Sequence, residues 1–278
     1  MKDRAYAKIN LSLDVFNIRE DGYHDLKSIM IPIIFYDELI IDKNDKDVFD
    51  CNKNYIRFDD NNSVKKMIDI FRQEFNINDC FKVYLNKCIP TRAGLGGGTS
   101  DGASALRILK RMYKLDINDE KIIEMCLKVG ADVPFNYYNV PSLVSGIGDK
   151  IEPFKLKKEY YVLLIKPKLG VSTKKAYELL DMDTCDHPDI GKLKKALENG
   201  ESINGLLGNS LEQSATLLNK DISNIKKELV ESGARNVLMS GSGSTVFCID
   251  EDKQLINNLY QRFKNSVYYV RFCKTLNS

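Results

Sequence analysis

The sequence lacks any long hydrophobic run and any strong excess of charge. Its 278 residues contain no tract of about 18 apolar residues, the minimum for a membrane-spanning helix. The opening MKDRAYAKINLSL is too polar for a secretory signal, so we expect no membrane partner. Lys and Arg number 41 against 39 Asp and Glu, a net charge of +2. This balance argues against a general nucleic-acid-binding protein, which normally carries a basic stripe.

Cysteine pairs with metal-binding spacing are also absent. The seven cysteines, at positions 51, 80, 88, 126, 185, 248 and 273, form no CxxC pair. We therefore expect neither a zinc site nor a disulfide framework. Scattered cysteines inside apolar runs are typical of small core residues. Unpaired thiols fit a reducing compartment, which predicts a cytoplasmic protein.

Three common nucleotide-binding patterns are missing from the glycine-rich stretch Pro90 to Tyr113, PTRAGLGGGTSDGASALRILKRMY. No Gly-Lys-Ser/Thr closes it as in a Walker A loop. Thr99 stands where a Rossmann fingerprint needs its third glycine. Neither of the two histidines begins an HRD sequence, so the protein-kinase motifs are excluded.

The same stretch still has the composition of a phosphate-binding loop. Four glycines fall within residues 94–98 and lead into an amphipathic run that predicts a helix. Glycines let backbone N–H groups turn around an anion, and the first N–H groups of a helix attract negative charge. Thr99 and Ser100 add hydroxyls suited to phosphate or Mg²⁺. The alternative is a flexible turn before an ordinary helix, although three successive glycines make such a turn costly.

Apolar and polar residues alternate strictly over residues 5–15, AYAKINLSLDV. This pattern predicts a strand with one buried face. Lys8 and Asn10 lie on the other face and point the same way. A solvated polar face is the usual explanation, but asparagine is depleted in strands, so this cluster also indicates a site.

Three further segments carry candidate site residues. Asp132 follows a predicted helix that Gly130 ends. It is either a turn aspartate bonded to local N–H groups or a carboxylate held at a site, and the residues favour neither. His24 follows a predicted turn at Asp21-Gly22. A lone histidine beside a turn is more often an exposed surface residue than a ligand contact. Residues 240–244, SGSGS, predict a second flexible loop between two strands.

The predicted elements alternate irregularly, which favours an α+β fold over a regular βαβ repeat. A lysine-rich segment at 153–159 is the candidate domain boundary. We expect two domains, residues 1–155 and 156–278. The clearest predicted elements are helices over 63–75 and from 118 or 119 to 130, and strands over 81–85, 160–165, 237–239 and 245–250.

Four segments, AKINLSL, AGLGGGTSDGASAL, GADVPF and MSGSGSTVF, together carry a resemblance that covers the whole chain. Their order and spacing resemble the GHMP small-molecule kinases, named for galactokinase, homoserine kinase, mevalonate kinase and phosphomevalonate kinase. DGYH, GADVPF and GVSTKKAY are similar to the members that act on a cytidyl-diphosphate derivative of methylerythritol, in the non-mevalonate route to isoprenoids.

This resemblance implies a fold and a reaction. The N-terminal domain would be like ribosomal protein S5 domain 2, and the C-terminal domain would be ferredoxin-like. The reaction would be ATP-dependent phosphorylation of the 2-hydroxyl of the methylerythritol portion, with Mg²⁺ as cofactor. The partner would be this small molecule rather than a nucleic acid or a membrane, and we expect a monomer or weak homodimer.

The resemblance also implies roles for individual residues. Asp132 would be the catalytic base and Lys8 its charged partner, with Asn10 beside the substrate hydroxyls. His24 would bond the cytosine edge with support from Tyr23, and Tyr177 would stack on the cytosine ring. The ATP phosphates would be wrapped by Pro90, Thr91, Arg92, Ala93, Gly94, Leu95, Gly96, Gly97, Gly98, Thr99 and Ser100. The substrate side would be closed by Gly241, Ser242, Gly243 and Ser244. No residue is assigned as a metal ligand.

Some positions depart from the family pattern. Thr91 and Arg92 stand where small residues are usual, and Thr99 replaces a common serine while keeping the hydroxyl. Gly102 replaces a common alanine and weakens the helix start. Ser210 replaces the aspartate of a usual Asn-Asp-Leu-Glu.

Two other interpretations stay open. One is a different GHMP kinase acting on mevalonate-type or amino-alcohol substrates, which Tyr23, His24 and Tyr177 argue against because they suit a flat base. The other is a catalytically idle ligand sensor. An idle copy would be free to lose Asp132 or Lys8, and both are present.

Overall fold

Two long strands open the chain, and mixed helices and strands follow. The computed structural model describes residues 1–19 and 24–277. Its strands are β1 Lys2–Ile18, β2 His24–Asn44, β3 Val48–Cys51, β4 Cys80–Asn86, β5 Ser142–Gly146, β6 Lys150–Pro153, β7 Tyr161–Lys166, β8 Gly208–Asn209, β9 Val237–Met239, β10 Val246–Asp250 and β11 Tyr269–Lys274. Its helices are α1 Ser63–Phe75, α2 Gly97–Tyr113, α3 Asp119–Val129, α4 Val133–Tyr138, α5 Thr173–Glu178, α6 Ile190–Asn199, α7 Glu212–Leu218, α8 Asp221–Glu231 and α9 Lys253–Phe263.

The chain divides into two compact units that are not continuous in sequence. The first unit comprises Met1–Ala7, Phe35–Pro90 and Gly96–Asn139. The second comprises Lys8–Ile34, Thr91–Leu95 and Val140–Ser278. Strands β1 and β2 each contribute residues to both units, and so does the glycine-rich loop. The predicted boundary at 155/156 stays a prediction, because neither unit is one continuous segment of the chain.

The first unit packs helices against a small sheet. The last part of β2 pairs antiparallel with β4, from Glu38 opposite Asn86 to Asn44 opposite Cys80, and β3 lies parallel to β4. Helix α1 buries Val64, Met67, Ile68 and Phe71, whose helical spacing forms one apolar face. Apolar side chains of α2 and α3 join the same core.

The second unit contains a four-stranded antiparallel sheet in the order β11–β7–β10–β9. Strand β7 is the apolar run predicted over 160–165, and its side chains pack in a core with α8 and α9. The first part of β2 pairs antiparallel with β5, which pairs with β6. Strand β1 pairs in parallel with the short β8, Ser12 opposite Gly208.

The helix predictions over 63–75 and 119–130 are confirmed together with their end signals. The Asn118 side chain accepts the N–H of Lys121 at the start of α3, and Gly130 is its C-cap. Two short elements were not predicted. The polar region 43–62 contributes β3, which is parallel to β4. The GADVPF segment begins α4, where Pro134 occupies the first helical turn.

The predicted fold class is confirmed, since helices and strands alternate irregularly and both units mix them. No helix within the described residues has the length and apolar character to cross a membrane.

Candidate active site

The first half of the glycine-rich loop, Thr91–Leu95, is held by residues of the second unit. The N–H of Thr245 donates to the carbonyl of Ala93 at 3.2 Å, and the N–H of Lys8 donates to the carbonyl of Leu95 at 3.0 Å. The Ser240 hydroxyl donates to the carbonyl of Gly94 at 2.9 Å. Three consecutive carbonyls are thus fixed, which sets the path of the backbone into the glycines.

Gly94 cannot be replaced without disturbing this anchor. Its φ of 71° lies in the left-handed region, and an added Cβ would collide with the carbonyl oxygen of Ser240. Both the conformation and the close approach of two backbones require glycine here. Arg92 is exposed and also has a positive φ, 51°. Gly170 lies against it, because a Cβ on Gly170 would be 2.6 Å from the Arg92 Cβ.

The second half of the loop forms the start of α2 in the first unit. Gly96 is the N-cap, with a φ of 67° and no side-chain cap. The first N–H groups of a helix have no partner within it, and the first turn of α2 carries no acidic residue. Gly97, Gly98 and Thr99 therefore present N–H groups at the positive end of the helix dipole, which suits a phosphate.

The two hydroxyls that follow have different surroundings. Ser100 is buried, and its hydroxyl donates to the carbonyl of Tyr6 at 2.7 Å while its N–H bonds Gly96. Thr99 is half-buried; its hydroxyl donates to the carbonyl of Gly96 at 2.9 Å and accepts from Asn136 at 2.8 Å. A hydroxyl oxygen has two lone pairs, so one remains on Thr99. Ser100 is fully buried, so the half-buried Thr99 has the more accessible hydroxyl oxygen, and its remaining lone pair suits a hard cation.

Asp132 belongs to the same unit as Thr99. It is the half-buried N-cap residue of α4, but its side chain does not cap that helix. This disfavours the interpretation of Asp132 as a turn aspartate bonded to its own helix start. Gly130 packs against the loop, since a Cβ there would lie 3.4 Å from Thr99 Cγ2. The turn that carries Asp132 is thus placed beside the Thr99 side chain.

Lys8 and Asn10 are in contact, as the alternation of β1 predicted. The Lys8 Nζ donates to Asn10 Oδ1 at 2.7 Å, and Asn10 Nδ2 donates to the Ser28 hydroxyl at 2.8 Å. Both side chains are buried, so the alternative of a solvated polar face is wrong for these two residues. Gly241 lies beside them: a Cβ there would be 3.3 Å from Asn10 Oδ1 and 3.4 Å from Lys8 Nζ.

The SGSGS loop is supported by an asparagine that the sequence reasoning missed. Asn209 is buried, and its Nδ2 donates to the carbonyls of Met239 and Gly241 at 2.8 and 2.9 Å. Ser242 shares a 2.7 Å hydrogen bond with Thr173, and Ser244 donates to the carbonyl of Leu169 at 3.0 Å. The only sequence signal for Asn209 was its place in the Asn-Ser-Leu-Glu segment.

Ser210, which stands where aspartate is usual, has a structural role. Its hydroxyl accepts the N–H of Val15 at 3.0 Å and donates to the carbonyl of Asp186 at 2.7 Å. It therefore joins β1 to the loop before α6.

His24 and Tyr177, both in the second unit, are brought together. Their ring centroids are 4.8 Å apart, and the ring planes meet at 46°. Because the two rings touch, a base does not fit between them in this arrangement. It would use another face of Tyr177 or the edge of His24. Tyr23, the third residue predicted for the base, lies outside the described residues.

A buried charge cluster lies behind the start of α2, and no sequence pattern predicted it. The Lys87 Nζ is 2.5 Å from Asp37 and 2.7 Å from Asp101. Burial raises the pKa of Asp101 to about 8, which the neighbouring Lys87 opposes and the second carboxylate, Asp37, reinforces. Burial lowers the pKa of Lys87, but the two carboxylates outweigh it and the net shift is upward. A Cβ on Gly97 would be 3.0 Å from the Lys87 Nζ, so the cluster directly supports the loop.

Comparison with known proteins establishes the family. The model of the GHMP kinases N terminal domain matches residues 62–140, and that of the GHMP kinases C terminal matches residues 182–270. A 4-diphosphocytidyl-2-C-methyl-D-erythritol kinase of Clostridium novyi is 39% identical, with 96% of this chain and 98% of that protein covered. The chain belongs to the GHMP kinases, in the family of the 4-diphosphocytidyl-2-C-methyl-D-erythritol kinases. It is a small-molecule kinase.

Further relatives agree. A kinase of the same name from Clostridium beijerinckii is 36% identical over 99% of this chain and 100% of its own. A crystal structure of 4-(cytidine 5'-diphospho)-2C-methyl-D-erythritol kinase matches with a TM-score of 0.84 at 27% identity, covering 100% of both chains. Homoserine kinase from Cytophaga hutchinsonii matches with a TM-score of 0.75 at 16% identity, over 98% and 94% of the chains, which bears on the fold alone. The two-domain GHMP kinase fold predicted from the sequence is confirmed.

Proposed function

We propose that this kinase transfers the γ-phosphoryl group of ATP to the 2-hydroxyl of 4-diphosphocytidyl-2-C-methyl-D-erythritol, a step in the non-mevalonate route to isoprenoid precursors. One observation carries the chemistry: the uncapped N-terminus of α2, the Thr99 hydroxyl and the turn with Asp132 lie together in the first unit. The substrate assignment rests on relatives of that name that match nearly the whole chain.

The phosphates of ATP are bound by the loop Pro90 to Ser100 in this proposal. Phosphoryl transfer depends on in-line positioning and on neutralising the charge of the transferred group. The N–H groups at the start of α2 are aimed in one direction before the substrate arrives, so they stabilise that charge without reorganisation. The fixed carbonyls of Ala93, Gly94 and Leu95 keep the loop in this form.

Mg²⁺ supplies further neutralisation of phosphate charge when it is bound. Oxygen ligands suit this hard cation, which usually keeps several waters and binds substrate phosphates. Thr99 Oγ1, with one lone pair left over from its two hydrogen bonds, would hold it.

Asp132 accepts the proton of the substrate hydroxyl as the oxygen attacks. A carboxylate is a weak base, so the proton moves late, when the attacking oxygen has already lost electron density. Lys8 is the charged partner of Asp132 in this proposal and orients the alcohol. Asn10, held by Lys8 and Ser28, lies beside the substrate hydroxyls.

The cytidyl end of the substrate is bound by the second unit. Tyr177 stacks on the cytosine ring, while His24, supported by Tyr23, bonds its edge. Gly241, Ser242, Gly243 and Ser244 close the substrate side, with Gly241 next to Lys8 and Asn10. The domain boundary at 155/156, a cytoplasmic location, a monomeric or weakly dimeric state and the absence of nucleic-acid or membrane partners remain proposals.

The deciding experiment measures ADP release with Mg-ATP and 4-diphosphocytidyl-2-C-methyl-D-erythritol. A parallel reaction contains the same sugar phosphate without the cytidyl group. Turnover of the first compound alone supports the proposed reaction and shows that the enzyme recognises the cytosine. Turnover of both leaves a kinase without the assigned roles of His24 and Tyr177.

The two rival interpretations have their own outcomes in the same assay. Turnover of mevalonate or homoserine, but not of the cytidyl compound, would favour a different GHMP kinase. Binding of ATP and the cytidyl compound without ADP release would favour an idle sensor.

A further inference from the structure

Asn136 is a buried polar residue that the mechanism above leaves unused. It lies on α4, four residues after Asp132, and is fully buried. Its Nδ2 donates to the Thr99 hydroxyl at 2.8 Å and approaches the carbonyl of Gly96 at 3.5 Å. Within residues 1–19 and 24–277, its Oδ1 has no hydrogen-bond partner. Burying an amide with one unsatisfied atom is unfavourable, so the contact with Thr99 calls for an explanation.

The backbone of Asn136 is fixed from two sides. Its N–H bonds the carbonyl of Asp132 at 3.1 Å. Its carbonyl accepts from Arg107 Nη1 at 2.6 Å, and Arg107 also bonds the carbonyl of Tyr137. Asp3 holds the Arg107 guanidinium at 2.8 Å. The side-chain amide of Asn136 is therefore presented to Thr99 from a rigid position.

The hydrogen bond from Asn136 is the second of two restraints on the Thr99 hydroxyl. A hydroxyl has one proton and two lone pairs. The proton goes to the carbonyl of Gly96, and one lone pair receives the Asn136 amide. The remaining lone pair then has one direction only. Without the amide, only the bond to the Gly96 carbonyl would restrain the hydroxyl, and both lone pairs would be open.

We propose that Asn136 is a positioning residue for phosphoryl transfer, because its amide orients the Thr99 hydroxyl and ties the turn that carries Asp132 to the first turn of α2. This inference rests on the proposed function, in which Thr99 and Asp132 act on the phosphate and the alcohol. Asn136 itself touches neither.

The kinetic test uses Asn136→Leu, which keeps the size of the side chain and removes the amide. We expect kcat to fall about tenfold, since small displacements of reacting groups are costly, while both KM values stay within about twofold. Thr99→Val, which removes the hydroxyl that accepts this amide, should lower kcat at least as far. The double variant Asn136→Leu/Thr99→Val should be no slower than Thr99→Val alone, since the two residues act through one bond.

A matched control separates positioning from general destabilisation. Asn236 is also buried with an Oδ1 that lacks a partner within the described chain. Asn236→Leu makes the same chemical change in the second unit and should lower the melting temperature while leaving kcat within about twofold. An unchanged kcat in Asn136→Leu, or full additivity in the double variant, would overturn the proposal.

Amide hydrogen exchange provides a readout that needs no turnover. In Asn136→Leu and Thr99→Val, residues 96–101 and 132–138 should both exchange faster. If the unmodified enzyme releases no ADP with the cytidyl compound, the proposed substrate is wrong, and exchange alone still decides the role of Asn136. Unaltered exchange of both segments in Asn136→Leu would contradict the tie between them.

Discussion

Asp132 is the residue on which the proposed proton transfer depends, and its replacement gives a direct test. Asp132→Asn keeps the shape of the side chain but removes the base. We expect ATP binding to change little and kcat to fall by about 10²- to 10⁴-fold. Isothermal titration with a non-hydrolysable ATP analogue and steady-state ADP release measure the two effects separately.

The control for Asp132 is the same change at an exposed aspartate. Asp116 lies in the loop between α2 and α3, and Asp116→Asn should retain full turnover. Near-normal turnover in Asp132→Asn would remove Asp132 from the role of base.

Asp101 should make stability depend on pH in a specific direction. Because burial raises its pKa to about 8 in the folded protein, the folded state keeps a proton that the unfolded chain loses above about pH 4. Unfolding therefore releases a proton in this range, and the free energy of unfolding falls as pH rises towards 8. One such proton gives a slope of up to about 1.4 kcal/mol per pH unit.

Asp101→Asn removes this titrating group while leaving an acceptor for Lys87. Urea unfolding at pH 5, 6, 7 and 8 should show a shallower fall for the variant than for the unmodified protein. Parallel pH dependences would show that Asp101 is ionised in the folded state, against the expectation.

The glycine-rich loop has to adopt a conformation that only glycine permits at position 94. We expect Gly94→Ala to raise the KM for ATP strongly and to lower stability, because the new Cβ meets the Ser240 carbonyl at a positive φ. Gly205→Ala is the matched control. Its φ of 73° is similar, but no atom of the described residues lies within 4 Å of an added Cβ.

The comparison of these two variants separates backbone strain from crowding at the loop. Gly205→Ala should cost about 1–2 kcal/mol of stability, because alanine disfavours the left-handed conformation, and should leave the KM for ATP unchanged. Equal KM values in the two variants would mean that the path of residues 91–95 does not govern nucleotide binding.

Most elements could be predicted from the sequence because their signals are local. Helix α3 has its cap at Asn118, its stop at Gly130 and an apolar stripe between them. The strict alternation of apolar and polar residues predicted strand β1. The same pattern put Lys8 and Asn10 on one face, where they form a hydrogen bond. Helix α4 was missed because its six residues are too few for a periodic pattern, and its N-cap side chain makes no capping bond.

The candidate site was predictable where motifs mark it and hidden where it depends on distant partners. Thr99 and Asp132 lie in recognisable segments. No motif marks Lys87, Asn136 or Asn209. Their roles come from contacts with other elements, which the local sequence does not show. Nothing in the local sequence of Asn136 indicates that it bonds a hydroxyl 37 residues away.

At the scale of the whole molecule, we propose that ATP and the cytidyl end of the other substrate bind to different residues, ATP to the loop Pro90 to Ser100 and the cytidyl end to His24 and Tyr177. Tyr177→Ala should therefore raise the KM for the cytidyl compound by about tenfold or more, since a stacked aromatic ring is worth roughly 1–3 kcal/mol. The KM for ATP should change by less than about twofold.

Tyr177→Phe is the control, because it keeps the ring and removes only the hydroxyl. It should bind the cytidyl compound nearly as well as the unmodified enzyme. Equal weakening of both substrates in Tyr177→Ala would count against stacking as the role of this ring.

Strands β1 and β2 and the glycine-rich loop each contribute residues to both units. This division affects recombination between related kinases. A chimaera made by a single crossover at residue 155 would take residues 8–34, β5 and β6 from one parent and β7 to β11 from the other. Yet residues 8–34 belong to the same unit as Thr91–Leu95 and Val140–Ser278. Exchanging this unit intact requires three spliced segments, so these kinases are expected to diverge as whole genes rather than by shuffling halves.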